Sequence, residues 1–175
     1  MKVFISPLLI LLCHYTIFAQ QSKLQIGADA DIVSKIAMIK NAFPDLIKAF
    51  GTNEQAESYV TNYQCNFIIG HAEVTLQKNN STAVQTLEIT FDHYHYLGTN
   101  ANFKDFFQQL VKNVQAVLGD AYGVTEPRFN AELDELESVS FFNKKYSECN
   151  SPILVEVDNY YKKGAVILRI ETGRK

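Results

Sequence analysis

The segment Asn102–Gly119, NFKDFFQQLVKNVQAVLG, constrains what this chain can fold into more than any other stretch. Phe103, Phe106, Phe107, Leu110, Val111, Val114, Val117 and Leu118 recur at the 3.6-residue period and form one broad apolar stripe. Asn102 is placed to cap the start, and Asp105 stands where the helix dipole favours a negative charge. Gly119 is placed to end the helix in the left-handed conformation. Phenylalanines packed this densely on one stripe need an apolar sheet to cover them, and strand-like runs lie on both sides in sequence. The helix is therefore expected at the packing centre, with Phe106, Phe107, Leu110 and Val114 buried against the sheet. The stripe builds a core and carries no chemistry of its own.

The flanking runs have strand periodicity. Tyr63–Ile69 reads as a strand, with Gly70 marking a bulge or turn. His71–Lys78 turns Ala72, Val74 and Leu76 one way and Glu73, Thr75 and Gln77 the other; Val84–Asp92 does the same with Leu87, Ile89 and Phe91 against Glu88, Thr90 and Asp92. Downstream, Ser138–Asn143 puts Val139 and Phe141 on one face, Pro152–Asn159 puts Ile153, Val155 and Val157 there, and Ala165–Thr172 adds Val166, Leu168 and Ile170. One apolar and one polar face per strand is the pattern of an antiparallel sheet covered on one side. Thr52–Asn62 reads as a polar connection. Asp120–Glu137 reads as a loop with a helical turn around Leu133 and Leu136.

A second helical pattern runs from Asp29 to Phe50 through Ile32, Val33, Ile36, Ile39, Phe43, Leu46 and Ile47, with Asp29 or Asp31 to cap it and Gly51 to end it. Pro44 inside it predicts a kink or a fresh helix after Phe43. A shift of 68 positions lays Ile39 on Phe107, Leu46 on Val114, Phe50 on Leu118 and Gly51 on Gly119. Both halves thus read as a helix followed by three strands. The expected fold is α+β: one antiparallel sheet with helices on one face, arranged as two tandem α-β-β-β units. The organisation expected is a leader over 1–19, a loose segment over 20–28 and one domain over 29–175, with halves 29–98 and 99–175. Helix-glycine endings followed by strand meanders resemble, at the level of fold, exported bacterial binding and inhibitor modules such as the β-lactamase inhibitor proteins.

The chain opens with Met1-Lys2 and an apolar run to Phe18, followed by Ala19 and two glutamines, the pattern of a secretory leader cut after Ala19. The leader is short of the roughly 20 predominantly apolar residues that span a bilayer, so no stable membrane anchor is expected after cleavage. A periplasmic or extracellular location follows. Cys13 falls in the leader, behind Leu12 rather than the small residue of a lipid-attachment site. The remaining pair, Cys65 and Cys149, is either a disulfide permitted by that compartment or two separate buried thiols; the bridge is the favoured expectation. Net charge is −3 over the whole chain, and loss of Lys2 makes the remainder more negative still. That balance, without a basic stripe, argues against a nucleic-acid partner. Lys144-Lys145 and Lys162-Lys163 read as solvated turns.

Few residues suggest chemistry. His93 and His95 in DHYHY lie two apart, so an extended backbone sends both imidazoles one way, as weak candidates for a metal; His71 or a carboxylate would have to complete the site. No metal or cofactor is expected, because nothing in sequence brings such a ligand near. Glu126, Glu132, Asp134, Glu135 and Glu137 lack the ordered spacing and turn glycine of a calcium loop and read as a solvated acidic loop. Tyr63, Tyr94, Tyr96, Tyr160 and Tyr161 are read at strand ends and turns, where rigid rings with a hydroxyl serve recognition; Tyr94, Tyr96, Tyr160 and Tyr161 are the candidate binding residues. Asn79 and Asn80 head two overlapping glycosylation acceptors. The chain has no phosphate-binding glycine loop, no G-x-S-x-G, no H-E-x-x-H and no C-x-x-C. The expectation is an exported, non-catalytic domain that binds a protein partner, in an inhibitor- or immunity-like role, through the open sheet face or the tyrosine loops. The alternatives are a small-molecule carrier with its pocket between the first helix and the sheet, and an uncharacterised enzyme.

Overall fold

The computed structural model describes residues 32–92, 102–130, 136–160 and 164–174. The leader, the caps at Asp29 and Asp31, the DHYHY histidines and tyrosines, Glu132 to Glu135, Tyr161 and Lys162-Lys163 lie outside the described residues. The fold is α+β, built on a single antiparallel sheet with helices on one face.

The first helical pattern divides at the proline. Helix α1 covers 32–41, a turn containing the cis Phe43–Pro44 bond follows, and α2 spans Leu46–Phe50. The fresh helix begins after Asp45, whose carboxylate accepts from the Lys48 amide. The first turn of α2 is also tied to the sheet: the Ile47 amide donates to Gln85 Oε1 (2.9 Å) and Gln85 Nε2 donates to Asp45 Oδ1 (3.2 Å).

Strands β1 (Gly51–Ala56), β2 (Val60–Cys65), β3 (Glu73–Asn79) and β4 (Gln85–Asp92) follow as a meander. Helix α3 (Phe103–Leu118), packed on the same face as α1 and α2, leads into β5 (Tyr122–Val124), β6 (Arg128–Asn130), β7 (Leu136–Asn143), β8 (Ile153–Tyr160) and β9 (Ala165–Thr172). The sheet order is β1-β2-β3-β4-β9-β8-β7-β5, with β6 also paired to β7. Because β8 occupies the other side of β7, β5 and β6 are two pieces of one edge. Thr125 bridges them, donating its amide to Ser140 O and accepting the Ser140 amide on Oγ1 (2.9 Å). Pro127 has no amide to donate and is tolerated because the strand is an edge.

Each half is thus a helical segment followed by four strand positions, not the three expected. The last strands, β4 and β9, pair antiparallel at the centre of the sheet. β1, GTNEQA, replaces the first part of the expected polar connection; its exposed edge residues need no alternation and so carry no strand pattern. The Asp120–Glu137 segment, expected as a loop, contributes the edge strands β5 and β6, and Leu136 begins β7. Tyr63–Ile69 is strand only as far as Cys65, although Phe67 and Ile69 are buried beyond it.

The core lies between the helices and the inward positions of the strands. Phe107, Leu110, Val114 and Leu118 of α3 are buried with Ile36, Ile39, Leu46 and Phe50 of the first half; Leu87, Ile89, Phe91, Val139, Phe141, Val155, Val157, Val166, Leu168 and Ile170 form the floor. Phe106, expected to be buried, is half-buried and meets the Phe91 ring edge-on at 5.3 Å. Asn102 caps α3 as expected, accepting from the amides of Lys104 and Asp105. At the other end Lys40 Nζ donates to the carbonyls of Val117 (2.6 Å) and Leu118 (3.2 Å), placing a cation on the negative end of the helix dipole and joining the two helical layers. Gly119 ends the helix with φ 74 and ψ −170, outside the left-handed helical region and in one that only glycine populates readily.

Candidate functional site

The cross-strand register determines what the helix-free face of the sheet presents. Glu88 pairs with Arg169, Arg169 with Glu156, and Glu156 with Ser140, so these four form one straight row across β4, β9, β8 and β7. Each charged member occupies the polar position between two core residues: Glu88 between Leu87 and Ile89, Arg169 between Leu168 and Ile170, Glu156 between Val155 and Val157. The alternation that builds the core on one side therefore delivers the row on the other.

Arg169 is the centre of the row. Its Nε lies 3.0 Å from Glu88 Oε2, and its Nη1 lies 3.3 Å from Asp158 Oδ2 and 3.7 Å from Glu156 Oε2. Ser140 Oγ donates to Glu156 Oε1 at 3.3 Å. Burial works against the guanidinium charge, but the Glu88 hydrogen bond and the three carboxylates outweigh it and hold the Arg169 pKa above its ordinary value. Asp158 is the most buried acid of the group, at 3% exposure. Its burial raises the carboxyl pKa; Arg169 opposes the rise while Glu156 and Glu88 add to it, leaving the value at about 6. One guanidinium among three carboxylates leaves a surplus of negative charge in a partly desolvated place, where charges are screened less than at an open surface.

The row was not legible as a site from the sequence, because Glu88, Glu156, Asp158 and Arg169 look like ordinary outward positions until the register is known. Of the residues singled out from the sequence, those described fall elsewhere. Tyr160 closes β8, half-buried, opposite Leu136 and Ala165. Tyr94, Tyr96, Tyr161, His93 and His95 lie outside the described residues. Tyr63, read as a strand-end residue, sits inside β2 opposite Leu76 and packs against the core. His71 is exposed in the turn before β3, and Glu126 is exposed beside Pro127. Among the described residues, no three His, Cys, Asp or Glu side chains are grouped to hold a metal ion.

Cys65 and Cys149 do not bridge; both are free thiols. Cys65 ends β2, whereas Cys149 lies in the 3-10 turn Glu148–Asn150 before β8. Strands β3, β4 and β9 separate β2 from β8. Four strand spacings amount to roughly 19 Å, far beyond the approximately 7 Å between Cα atoms that a disulfide tolerates. Burial pushes the Cys65 thiol pKa up, against a smaller lowering from its hydrogen bond with the Phe67 backbone.

Two open grooves are lined mostly by residues of β1 to β4. One of about 350 Å³ is lined by Asn53, Gln55, Asn62, Tyr63 and Gln64. Its neighbour, about 260 Å³, is lined by Val60, Gln77, Asn79, Thr82, Val84, Thr86 and Glu171. Between α1, α3 and the sheet, a cavity lined by Ile36, Ile39, Phe43, Val114 and Leu168 holds about 10 Å³. No helix among the described residues is long and apolar enough to cross a membrane. In comparisons with known proteins, the chain matches no family model, no curated protein and no solved structure.

Proposed function

We propose that the chain is an exported, non-catalytic binding domain that recognises a protein partner with the helix-free face of its sheet. The observation that carries this reading is the Glu88–Arg169–Glu156 row with Asp158 beside it. Arg169 holds the carboxylates in place, and their surplus charge remains available to a cation from outside. A lysine or arginine side chain on the partner is the complementary group, and such complementarity sets register and speeds encounter. An inhibitor- or immunity-like role is one form this binding takes. The reading is preferred to a small-molecule carrier because the space between the first helix and the sheet has room for about one water molecule.

The test is capture from the secretome of the source culture by the immobilised mature chain. A specific partner should be retained by the wild type, eluted by raised salt, and lost with the double variant Glu88→Gln/Glu156→Gln. Gln108→Ala and Lys112→Ala on exposed positions of α3 should retain it. Capture that survives the double variant but fails with the α3 variants would place the interface on the helices and overturn the assignment. Export has its own check: mass spectrometry of the native protein should find an N-terminus at or next to Gln20, and an intact Met1 would remove the compartment.

A further inference from the structure

We infer that the β1–β4 half of the open face binds an uncharged oligosaccharide, a role separate from protein recognition and carried by different residues, with β4 the strand the two rows share. The register again supplies the observation. Gln55 pairs with Asn62, Asn62 with Gln77, and Gln77 with Thr86, so three primary amides and a hydroxyl form a row across β1, β2, β3 and β4. Gln64 and Thr75 lie on the same face one step along β2 and β3. Cross-strand partners on this row line the two grooves described above, Asn62 one and Gln77 the other.

The chemistry of the lining excludes most ligand classes. Neither groove has a lysine, arginine or histidine in its lining, so phosphates, sulfates and carboxylates find no counter-charge. Val60 and Val84 are the only aliphatic residues of either lining, too little apolar surface for a lipid. Tyr63 is the one aromatic ring in either lining, and because it packs partly against the core it does not stand out as the central anchor of a strong protein interface. What remains, Glu171 at one end aside, is a set of amides and hydroxyls that each both donate and accept hydrogen bonds. A primary amide places a carbonyl oxygen and an NH2 side by side, which matches a vicinal diol: one hydroxyl donates to the carbonyl and the other accepts from the nitrogen. Neighbouring strands are roughly 4.8 Å apart, so the three amides span about the length of a disaccharide.

The side chains are also partly set in place. Asn53 Nδ2 donates to Gln64 Oε1 at 2.7 Å, leaving the Gln64 NH2 to donate outward. Asn62 Nδ2 donates to Glu57 Oε1 at 3.2 Å, which turns its carbonyl oxygen toward acceptance from the ligand. Glu171, ion-paired to Arg174 at 3.3 Å, closes the row at β9, where the neutral field gives way to the charged one.

The test uses the mature chain and a panel of uncharged hexasaccharides (cellohexaose, maltohexaose, mannohexaose and chitohexaose), with a hexagalacturonate as the charged comparison. Saturation-transfer NMR and titration calorimetry should detect at least one uncharged member and not the galacturonate. Asn62→Ala/Gln77→Ala should weaken that binding at least about tenfold, the size expected from losing more than one hydrogen bond to ligand. Glu88→Gln/Glu156→Gln should leave it unchanged, which separates this inference from the protein-partner reading. Gln77→Arg, a single change at an exposed position, gives a second readout by crowding the row if the double variant fails to fold. Absence of binding by every uncharged member, or binding that none of the β2 and β3 variants affects, overturns the inference.

Discussion

Asp158 is the residue where burial and charge are most directly opposed. Its carboxyl titrates at about 6, above the ordinary 3.8, because desolvation and two neighbouring glutamates outweigh Arg169. An acid whose folded pKa is raised binds more protons folded than unfolded across the window between those values. Its contribution to stability is therefore fully present below that window and is lost as the pH climbs through it to about 6. Asp158→Asn should accordingly unfold at higher denaturant than the wild type at pH 7.5, by about 1–3 kcal/mol, and show no such advantage at pH 3.5. A variant that is weaker at both pH values would mean that the Arg169 contact outweighs the burial. Its chain neighbour Asn159 faces the core side with both amide atoms buried and without a hydrogen-bond partner among the described residues. Asn159→Leu keeps the approximate shape and removes the orphaned groups, so a gain of about 1–2 kcal/mol is expected by chemical denaturation. A loss instead would point to an internal water that satisfies the amide.

At the scale of elements, α3 performs the role its periodicity predicts. Phe107 is 2% exposed at the centre of the stripe, while Gln108 and Lys112 face solvent. Phe107→Ala should cost about 3–5 kcal/mol, from lost transfer energy and the cavity left behind. Gln108→Ala and Lys112→Ala should each stay within about 0.5 kcal/mol of wild type. Thermal and urea unfolding of the three variants check this, and similar small effects at all three positions would mean that the helix does not pack by its stripe. The helices also correspond as the shift of 68 positions suggested: Ile39 and Phe107, Leu46 and Val114, and Phe50 and Leu118 are buried in pairs. The agreement is incomplete where Pro44 divides the first helical segment. Met38 is exposed while Phe106 is half-buried against Phe91. The two glycines that end the segments also act differently. Gly119 supplies a backbone conformation closed to other residues, whereas Gly51 has an ordinary φ of −86 and is required by space, since a Cβ there would lie 2.9 Å from Ile47 O.

For the whole molecule, strand order overrode the expectation about cysteine. With β2 and β8 four positions apart, native protein should show Cys65 and Cys149 as separate thiols. Intact-mass analysis after denaturing alkylation without reductant should find both modified, and stability should not change with added reductant; a mass two hydrogens lower and resistant to alkylation would contradict the strand order. Residue pattern was enough for the limits and the N-cap of α3 and for the alternation of β3, β4, β7, β8 and β9, and hence for a one-sided antiparallel sheet, but not for the conformation of Gly119. These are local: apolar period and turn residues act within a few positions of chain. It left β1 and the β5–β6 edge unread, because edge strands owe their form to a neighbour's backbone and carry little side-chain signal. Tertiary structure alone decided that Glu88, Arg169 and Glu156 meet, and that Gln55, Asn62 and Gln77 line up. Alternation specifies only which face a residue takes, and a slip of two positions preserves every face. Choosing among such registers falls to the packing of helices against the completed sheet, a long-range competition in which the outward side chains have almost no vote.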